Sequence, residues 1–334
     1  MEDWSLLTLA WVGIIGLAVV MYVLMDGFDL GIGILFPFVA GDADRDVMMN
    51  SVAPVWDFNE TWLVLGGAGL FAAFPIAYAT VLPAMYLPLL AMLIALVFRG
   101  VAFEFRFKAG RSRGLWNTAF FGGSLVATLA QGVVLGAYLQ GITIEGRHFA
   151  GGMWDWATPF SLFCGLALVA GYGLLGATWL IWRTTGPLQG WCYGVARRLL
   201  LAVLAGILVV SVWTPLLDPR IAERWFSTPN LFWLTPVPVV TALLALWLWR
   251  SLDRWRERQP FFLALGLFLM SFGGLVVSLW PYLIPYSHTV WQAAAPPETQ
   301  VFLLVGMAFL IPAVLAYTAY SYWVFRGKVT GGYH

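Results

Sequence analysis

Apolar stretches long enough to cross a lipid bilayer recur along almost the whole chain. A helix needs about 20 predominantly apolar residues to span the hydrocarbon core. The pattern predicts nine such helices, separated by short polar or basic loops, near residues 6–38, 48–74, 77–105, 115–139, 158–182, 198–217, 231–249, 260–284 and 300–325. No stretch between them is long enough to build a soluble core. We therefore predict an all-α integral membrane protein whose residues 1–334 form a single polytopic membrane domain.

The composition agrees with a membrane location. Hydrophobic residues make up 61% of the chain and charged residues only 10%, whereas soluble domains have about 25% charged residues. The order of the predicted helices suggests two four-helix bundles, formed by the first four and the next four helices, with the ninth helix peripheral. The net charge of +1 gives no indication of a nucleic-acid partner, and we expect none.

The distribution of basic residues among the loops predicts the orientation. With nine spans, only Arg147, Arg220 and Arg224 of the 18 Lys and Arg fall on the side of the N-terminus. The others fall on the opposite side. Cytoplasmic loops carry the excess of Lys and Arg in membrane proteins. The sequence therefore predicts an external N-terminus and a cytoplasmic C-terminus.

Ionisable residues interrupt the first three predicted helices at one depth. Asp26 and Asp29 lie on the first, Asp57 and Glu60 on the second, and Arg99 on the third. The members of each acidic pair are three positions apart, so each pair shares one face of its helix. A charge at bilayer depth costs at least about 2.5–3.5 kcal/mol on insertion scales and usually marks an ion, proton or substrate path.

Four carboxylates near one arginine cannot all stay ionised in a medium of low dielectric, so the sequence predicts a layer that binds and releases protons. A simpler hypothesis is that the acids only pair with Arg99 and hold the helices together. Gly27 and Gly31 allow a close helix contact in either case. Trp56 and Trp62 flank the acids of the second helix, and we expect them to seal a helix interface.

Ligands for a redox centre are missing from the middle of the predicted spans. Haem irons in membrane helices usually take His ligands, but His148, His288 and His334 all fall in outer loops or at the C-terminus. Cys164 and Cys192 have no metal-ligand spacing. We therefore expect no catalytic residue and no metal site in this chain. It either transports something or serves a partner that carries the chemistry.

Five segments resemble subunit II of the cytochrome bd-type quinol oxidases, in the order of that family. The first two are most similar to its cyanide-insensitive branch. The segments are MYVLMDGFDLGIGILFPF (21–38), NSVAPVWDFNETWLVLGGAGLFAAFP (50–75), IALVFRGVAFEFR (94–106), PYLIPYSHTVWQAAAP (281–296) and AYTAYSYWVFRGKV (316–329).

The resemblance implies a nine-helix fold and a location in the bacterial cytoplasmic (inner) membrane. It also implies a partner, subunit I, that holds the quinol site and three haems: two haem b and a third that is d or b. Subunit II would bind no haem and would not be catalytic alone. The complex would oxidise quinol, reduce dioxygen to water and take protons from the cytoplasm. The resemblance does not decide whether small single-span accessory subunits bind the complex. It also does not decide whether a structural quinone or lipid binds this chain.

The resemblance also assigns roles to single residues. The family's Trp-Asp-Gly-Asn-Glu motif falls on residues 56–60, which places Asp57 in a proton path toward the oxygen-reducing haem and makes Glu60 its companion. The Asp-Gly-Phe-Asp motif falls on residues 26–29, and the family arginine on Arg99. Phe58 departs from the usual glycine, and its ring would narrow local hydration beside Asp57.

Three functions therefore compete. The chain is a haem-free oxidase subunit that supplies protons, a proton-coupled secondary transporter, or a purely structural subunit. Transporters usually show broken helices at the midplane and paired halves, whereas the acids here cluster on the first three helices. We also expect Gln131 and Gln140 to bond across helices. The outer loop with Tyr286, His288 and Trp291 would either contact subunit I or anchor the chain at the membrane interface.

Overall fold

The computed structural model describes residues 6–329, and nearly all of its regular structure is helical. The helices are α1 (Leu6–Leu35), α2 (Asp42–Asn50), α3 (Trp56–Ala73), α4 (Pro75–Ala84), α5 (Tyr86–Phe105), α6 (Arg113–Gln140), α7 (Pro159–Arg183), α8 (Gly186–Leu217), α9 (Pro219–Phe226), α10 (Asn230–Leu234), α11 (Pro236–Asp253), α12 (Gln259–Leu279), α13 (Val290–Ala293) and α14 (Pro297–Val324). A 3-10 turn, Phe36–Phe38, extends α1.

Two small antiparallel hairpins complete the described regular structure. Strand β1 (Ile144–Glu145) pairs with β2 (His148–Phe149), and β3 (Tyr282–Ile284) pairs with β4 (His288–Thr289). The first hairpin lies between α6 and α7, and the second lies between α12 and α13. Both therefore belong to connections between long helices.

Eight helical segments within residues 6–329 are long and apolar enough to cross a membrane. They correspond to eight of the nine predicted spans. The remaining one, predicted near 48–74, consists of the end of α2, a turn around Pro54 and the 18-residue helix α3. Because α3 carries Asp57 and Glu60 near its start, its mean hydropathy is low. That α3 also crosses the membrane, which would give nine crossings in all, stays a prediction.

Prolines explain where the observed helices differ from the predicted ones. The helix predicted at 77–105 is divided into α4 and α5 at Met85, between Pro83 and Pro88, because proline removes a backbone donor and crowds the preceding turn. The helix predicted to end at 284 ends at Leu279, just before Pro281, since a proline disfavours helical geometry in the residue before it.

The predicted start of α8 is wrong by about three turns. The apolar run begins near residue 198, but the helix begins at Gly186. Its first turns are amphipathic and bury Leu188, Cys192 and Ala196 at intervals of four residues. Such a stripe buries one face of a helix without forming an uninterrupted apolar run.

Helix α1 lies at the centre of the helical packing. It contacts α3, α6, α7 and α14. Helix α7 contacts α6, α8 and α12 as well, so α1, α6 and α7 link the earlier helices of the chain to the later ones. The division into two four-helix bundles stays a prediction. Helix α14 contacts α3 and α1 and is otherwise largely exposed. This packing brings Asp26 and Asp29 of α1, Glu60 of α3 and Arg99 of α5 into one region.

Candidate functional site: a buried ionic network

Arg99 joins three helices through one guanidinium group. Its Nη1 lies 2.5 Å from Oδ1 of Asp26 on α1, and its Nη2 lies 2.7 Å from Oε2 of Glu60 on α3. The side chains of Arg99 and Asp26 are fully buried, whereas that of Glu60 is 25% exposed. The ion pairs therefore run from the interior of the protein to a partly accessible edge.

Asp29 is held by an amide instead of an arginine. Asn59 donates from Nδ2 to Oδ2 of Asp29 (2.7 Å) and to the backbone oxygen of Met25 (3.3 Å). Tyr322 on α14 donates its hydroxyl hydrogen to Oδ1 of Asn59 (2.9 Å). Asp29 is fully buried, and no cation of the described chain lies within salt-bridge distance of it. The sequence patterns predict no role for Asn59 or Tyr322, although both lie in segments that resemble the family.

Asp57 lies apart from this network. It is exposed, and no ion pair involves its carboxylate within residues 6–329. It begins an outward-facing stripe of α3 that continues through Thr61, Val64 and Phe71, which are also exposed. The structure thus brings together Asp26, Glu60 and Arg99, and leaves Asp57 one turn away on the outer surface of the helix.

The network contains more acid than base. Among the described residues, the carboxyl groups of Asp26, Asp29 and Glu60 share this layer with the guanidinium of Arg99, and Oδ1 of Asp29 is buried there without a hydrogen-bond partner. An uncompensated buried carboxylate is strongly disfavoured. The arrangement is therefore chemically able to hold a proton at a carboxyl group in addition to its ion pairs.

A second set of polar contacts begins at Tyr22, one turn before Asp26 on α1, and crosses the helices. The hydroxyl of Tyr22 accepts a hydrogen bond from Nε2 of Gln131 on α6 (2.8 Å). Tyr172 on α7 donates its hydroxyl hydrogen to Oε1 of the same glutamine (2.9 Å). Gln140, at the end of α6, accepts a hydrogen bond from Thr158, the N-cap of α7. Both glutamines bond across helices, as expected.

Aromatic rings surround the ionic network on α3. Trp56 stacks on Phe103 with ring centroids 5.0 Å apart, and the guanidinium of Arg99 lies 5.8 Å from the Trp56 ring. Trp62 is fully buried. Phe58 packs against Tyr317 of α14 with centroids 4.4 Å apart. The phenyl ring therefore contributes to the contact between α3 and α14.

Glycines permit the close approach of α1 and α7 beside the acids. A Cβ added to Gly27 would lie 2.8 Å from the ring of Tyr172. A Cβ added to Gly31 would overlap the backbone carbonyl of Tyr172 and lie 2.9 Å from the backbone nitrogen of Gly176. Small residues allow such backbone contact between helices.

The outer aromatic loop is anchored within the chain. Tyr286 donates its hydroxyl hydrogen to the backbone oxygen of Leu139 (2.7 Å), and Arg220 donates to the backbone oxygen of Tyr286 (3.2 Å). The rings of Trp280 and Trp291 are 5.8 Å apart. The contact of this outer loop with subunit I stays a prediction.

The histidines and cysteines of the described chain lie on different elements of the fold. His148 is exposed and His288 half-buried, each in a short strand, while His334 lies outside the described residues. Cys164 and Cys192 are buried free thiols on α7 and α8. Within residues 6–329, no three His, Cys, Asp or Glu side chains are arranged to hold a metal ion.

Comparison with known proteins supports the family resemblance and the helical fold. The model of the family described as cytochrome bd terminal oxidase subunit II matches residues 7–325. The cytochrome bd-I ubiquinol oxidase subunit 2 of Escherichia coli (strain K12) is 29% identical, over 99% of this chain and 97% of that protein. The cytochrome bd ubiquinol oxidase subunit 2 of Bacillus subtilis (strain 168) is 28% identical, over 96% of each chain.

A solved structure shows the same fold. A chain of the bd oxidase from Geobacillus thermodenitrificans superposes with a TM-score of 0.75 at 18% identity, covering 96% of this chain and 99% of that one. The match of the family model extends over nearly all described residues and includes every element of the ionic network. The chain is therefore a multi-pass membrane protein that belongs to the cytochrome bd terminal oxidase subunit II family.

Proposed function

We propose that this chain is the haem-free subunit of a quinol-oxidising, dioxygen-reducing complex of a bacterial inner membrane. It supports a haem-bearing subunit I, which carries two haem b and a third haem, and it supplies part of the cytoplasmic proton uptake path. Family membership supports the oxidase over a proton-coupled transporter, because the curated relatives are named as ubiquinol oxidase subunits.

The proposed topology has nine crossings, with an external N-terminus and a cytoplasmic C-terminus. Helix α3 would be the second of these crossings along the chain, in addition to the eight helical segments that are long and apolar enough to span a membrane. Its 18 residues give a length of about 27 Å at 1.5 Å per residue, and its sequence beyond Trp62 is uncharged. The loop arginines then lie mainly in the cytoplasm, in agreement with the positive-inside rule.

The outward position of Asp57 is the observation that carries the proposed proton role. A carboxylate that lies on the outside of a membrane helix, without an ion pair in the described chain, must meet either water or a partner. Glu60 lies one turn further along α3, bonds Arg99 and is partly exposed. Asp57 and Glu60 together therefore connect the outer face of α3 with the buried network.

The buried acids would complete the path as a proton store. Arg99 compensates the charge of Asp26 and part of that of Glu60, whereas within residues 6–329 the Asp29 carboxyl group is bonded only by Asn59. A proton on Asp29 would remove the uncompensated charge from the interior. We propose that Asp26 and Asp29 hold the charge balance of this layer while Asp57 and Glu60 exchange protons with their surroundings.

An Asp57→Asn variant of the complex tests this role. The amide keeps the shape of the side chain but cannot carry a proton between sites, so we expect slower quinol-dependent oxygen uptake with an unchanged haem absorption spectrum. Glu104→Gln is the matched control, since Glu104 is another exposed acid near the end of a helix and, in the described part of the chain, pairs only with Lys108. Normal oxygen uptake by Asp57→Asn would contradict the proposal, and loss of the haem bands would indicate a structural role instead.

A reduced-minus-oxidised spectrum tests the larger proposal. The complex would be purified through a tag on this chain. Haem bands that copurify with quinol-dependent oxygen uptake are the expected result, and a d band would identify the third haem. An intact but colourless preparation would contradict the oxidase proposal.

A further inference from the structure

Five arginines, on the fourth turn of α8, near the end of α11 and before the start of α12, have no carboxylate within salt-bridge distance in the described part of the chain. All five are exposed: Arg198, Arg250, Arg254, Arg256 and Arg258. The neighbouring carboxylates are already paired, Asp253 with Arg197 (3.2 Å) and Glu257 with Lys328 (2.9 Å). This part of the surface therefore carries an excess of positive charge.

The other basic loop on the same predicted side is different. Between α5 and α6, Arg106 and Arg113 both pair with Asp46, and Lys108 pairs with Glu104 at 3.7 Å. Acids of the chain thus neutralise most of the positive charge there. Unpaired positive charge is concentrated at α8, α11 and α12, and is not a uniform property of this side of the protein.

Apolar stripes lead up to these arginines along two adjacent helices. On α11, Leu243 and Trp247 precede Arg250 and Arg254 at intervals of three or four residues, so all four share one exposed face. On α8, Arg198 is followed by exposed Leu201, Leu208, Val212 and Leu216 on one face. Helices α8 and α11 contact each other. We call the five arginines and these two stripes the arginine surface.

Hydrogen bonds hold the arginine surface in place. Nη2 of Arg197 donates to the backbone oxygen of Leu252 (3.1 Å), which ties the first turns of α8 to the end of α11. The hydroxyl of Tyr193 donates to the backbone oxygen of Arg256 (3.0 Å), and its ring lies 4.4 Å from that of Trp255. The loop that carries the arginines is therefore fixed against α8.

We propose that the arginine surface binds an anionic phospholipid. Its phosphate would lie among the guanidinium groups and its acyl chains along the stripes of α8 and α11. Guanidinium groups bind phosphate through paired, charge-assisted hydrogen bonds, and clusters of four to eight basic residues beside a membrane helix are typical of anionic-lipid recognition. The adjoining apolar stripes would lie against acyl chains in the membrane, and this places a phospholipid headgroup, in preference to a free phosphate, beside the arginines.

Native mass spectrometry of the complex, purified through a tag on this chain, tests the proposal. The complex would be delipidated and then titrated with phosphatidylglycerol or phosphatidylcholine. We expect stronger binding of phosphatidylglycerol to the wild type, and a loss of at least ~10-fold in that binding for Arg250→Gln/Arg254→Gln. The control Arg111→Gln/Arg147→Gln also removes two exposed arginines without ion pairs in the described chain, but it lies elsewhere and should bind as the wild type does.

Three outcomes would overturn the proposal. The first is equal binding of both lipids, and the second is unchanged phosphatidylglycerol binding by the Arg250/Arg254 variant. The third is loss of subunit I and its haem bands from that variant, which would make this face a protein contact. We expect added inorganic phosphate to compete only weakly with phosphatidylglycerol. Full competition would contradict the proposal that the acyl chains bind along the apolar stripes. The lipid proposal does not depend on the proton role of Asp57. The Asp57 proposal is tested by oxygen uptake and the lipid proposal by lipid binding, so that each can fail without the other.

Discussion

Asp26 on α1 and Arg99 on α5 form an ion pair of 2.5 Å in which both side chains are completely buried. Removing two charges from water is costly, and their attraction compensates only when further polar contacts are present. Arg99 has such a contact with Glu60. The pair therefore fixes how α1, α3 and α5 meet, and its members should not be equally sensitive to substitution.

Replacing Arg99 should be more damaging than replacing Asp26. In Arg99→Met, both Asp26 and Glu60 lose their cation, and breaking a buried pair typically costs about 3–5 kcal/mol. In Asp26→Asn, the guanidinium keeps Glu60, so the loss should be smaller. The measurement is the midpoint of thermal unfolding of the purified complex, with exposed Arg111→Met as the control. A larger loss in Asp26→Asn would contradict this account of the network.

Gly31 should not tolerate even a methyl group. Gly31→Ala would place a Cβ against the backbone of Tyr172 and Gly176, and overpacking of this kind usually costs about 1–3 kcal/mol. We expect a lower thermal midpoint and a smaller yield of intact complex. Gly13→Ala is a control on the same helix, because nothing lies within 4 Å of an added Cβ there. Helix propensity alone favours alanine over glycine, so a midpoint for Gly31→Ala that is no lower than that for Gly13→Ala would contradict the close contact with α7.

The residues that the sequence singled out reveal what its patterns can and cannot predict. Asp26, Glu60 and Arg99 could be assigned to one layer because helix rise fixes the depth of each residue along an apolar run. Depth does not give rotation about the helix axis. Asp57 and Glu60 are three positions apart, yet one is exposed and the other bonds Arg99. A rotation of a few tens of degrees about the helix axis decides whether such a side chain is exposed or bonds Arg99. Helix packing determines that rotation.

Contacts between distant segments were likewise beyond the reach of sequence patterns. Tyr322 reaches Asn59 across 263 positions of the chain, and no periodicity relates them. The breaks in helices are a different case. The prolines at positions 54, 83, 88 and 281 are visible in the sequence, and they mark the interrupted helices more closely than the apolar runs do. Greater weight on proline would have predicted the division between α4 and α5.

Tyr322→Phe should weaken the attachment of α14 to the network. The substitution removes the donor to Oδ1 of Asn59 and leaves a buried acceptor without a partner, which typically costs about 1–3 kcal/mol. The thermal midpoint of the complex should fall accordingly. Tyr320→Phe is the control, because Tyr320 lies on the same helix but is mostly exposed. Equal stability of the two variants would mean that the Asn59 contact adds nothing to the fold.

Asp46 on α2 should stabilise the protein in a pH-dependent way. Burial acts to raise the pKa of its carboxyl group, but the hydrogen bonds from Arg113 and Arg106 outweigh this effect and hold the pKa below its usual value. A lowered pKa means that the folded protein favours the ionised form, so the stabilisation is complete above the ordinary Asp pKa of about 3.9 and is lost as the pH falls below it. Asp46→Asn should therefore lower the thermal midpoint by a constant amount between pH 7.5 and 5.

The difference between the wild type and Asp46→Asn should narrow only near pH 4 and below, where the wild-type carboxyl group takes up a proton and resembles the amide. Asp44→Asn is the control on the same helix, since Asp44 makes no ion pair in the described chain, and it should change the midpoint little at any pH. A difference that already narrows between pH 7.5 and 6 would contradict the lowered pKa. A difference that persists unchanged well below pH 4 would show that Asp46 acts through packing and not through its charge.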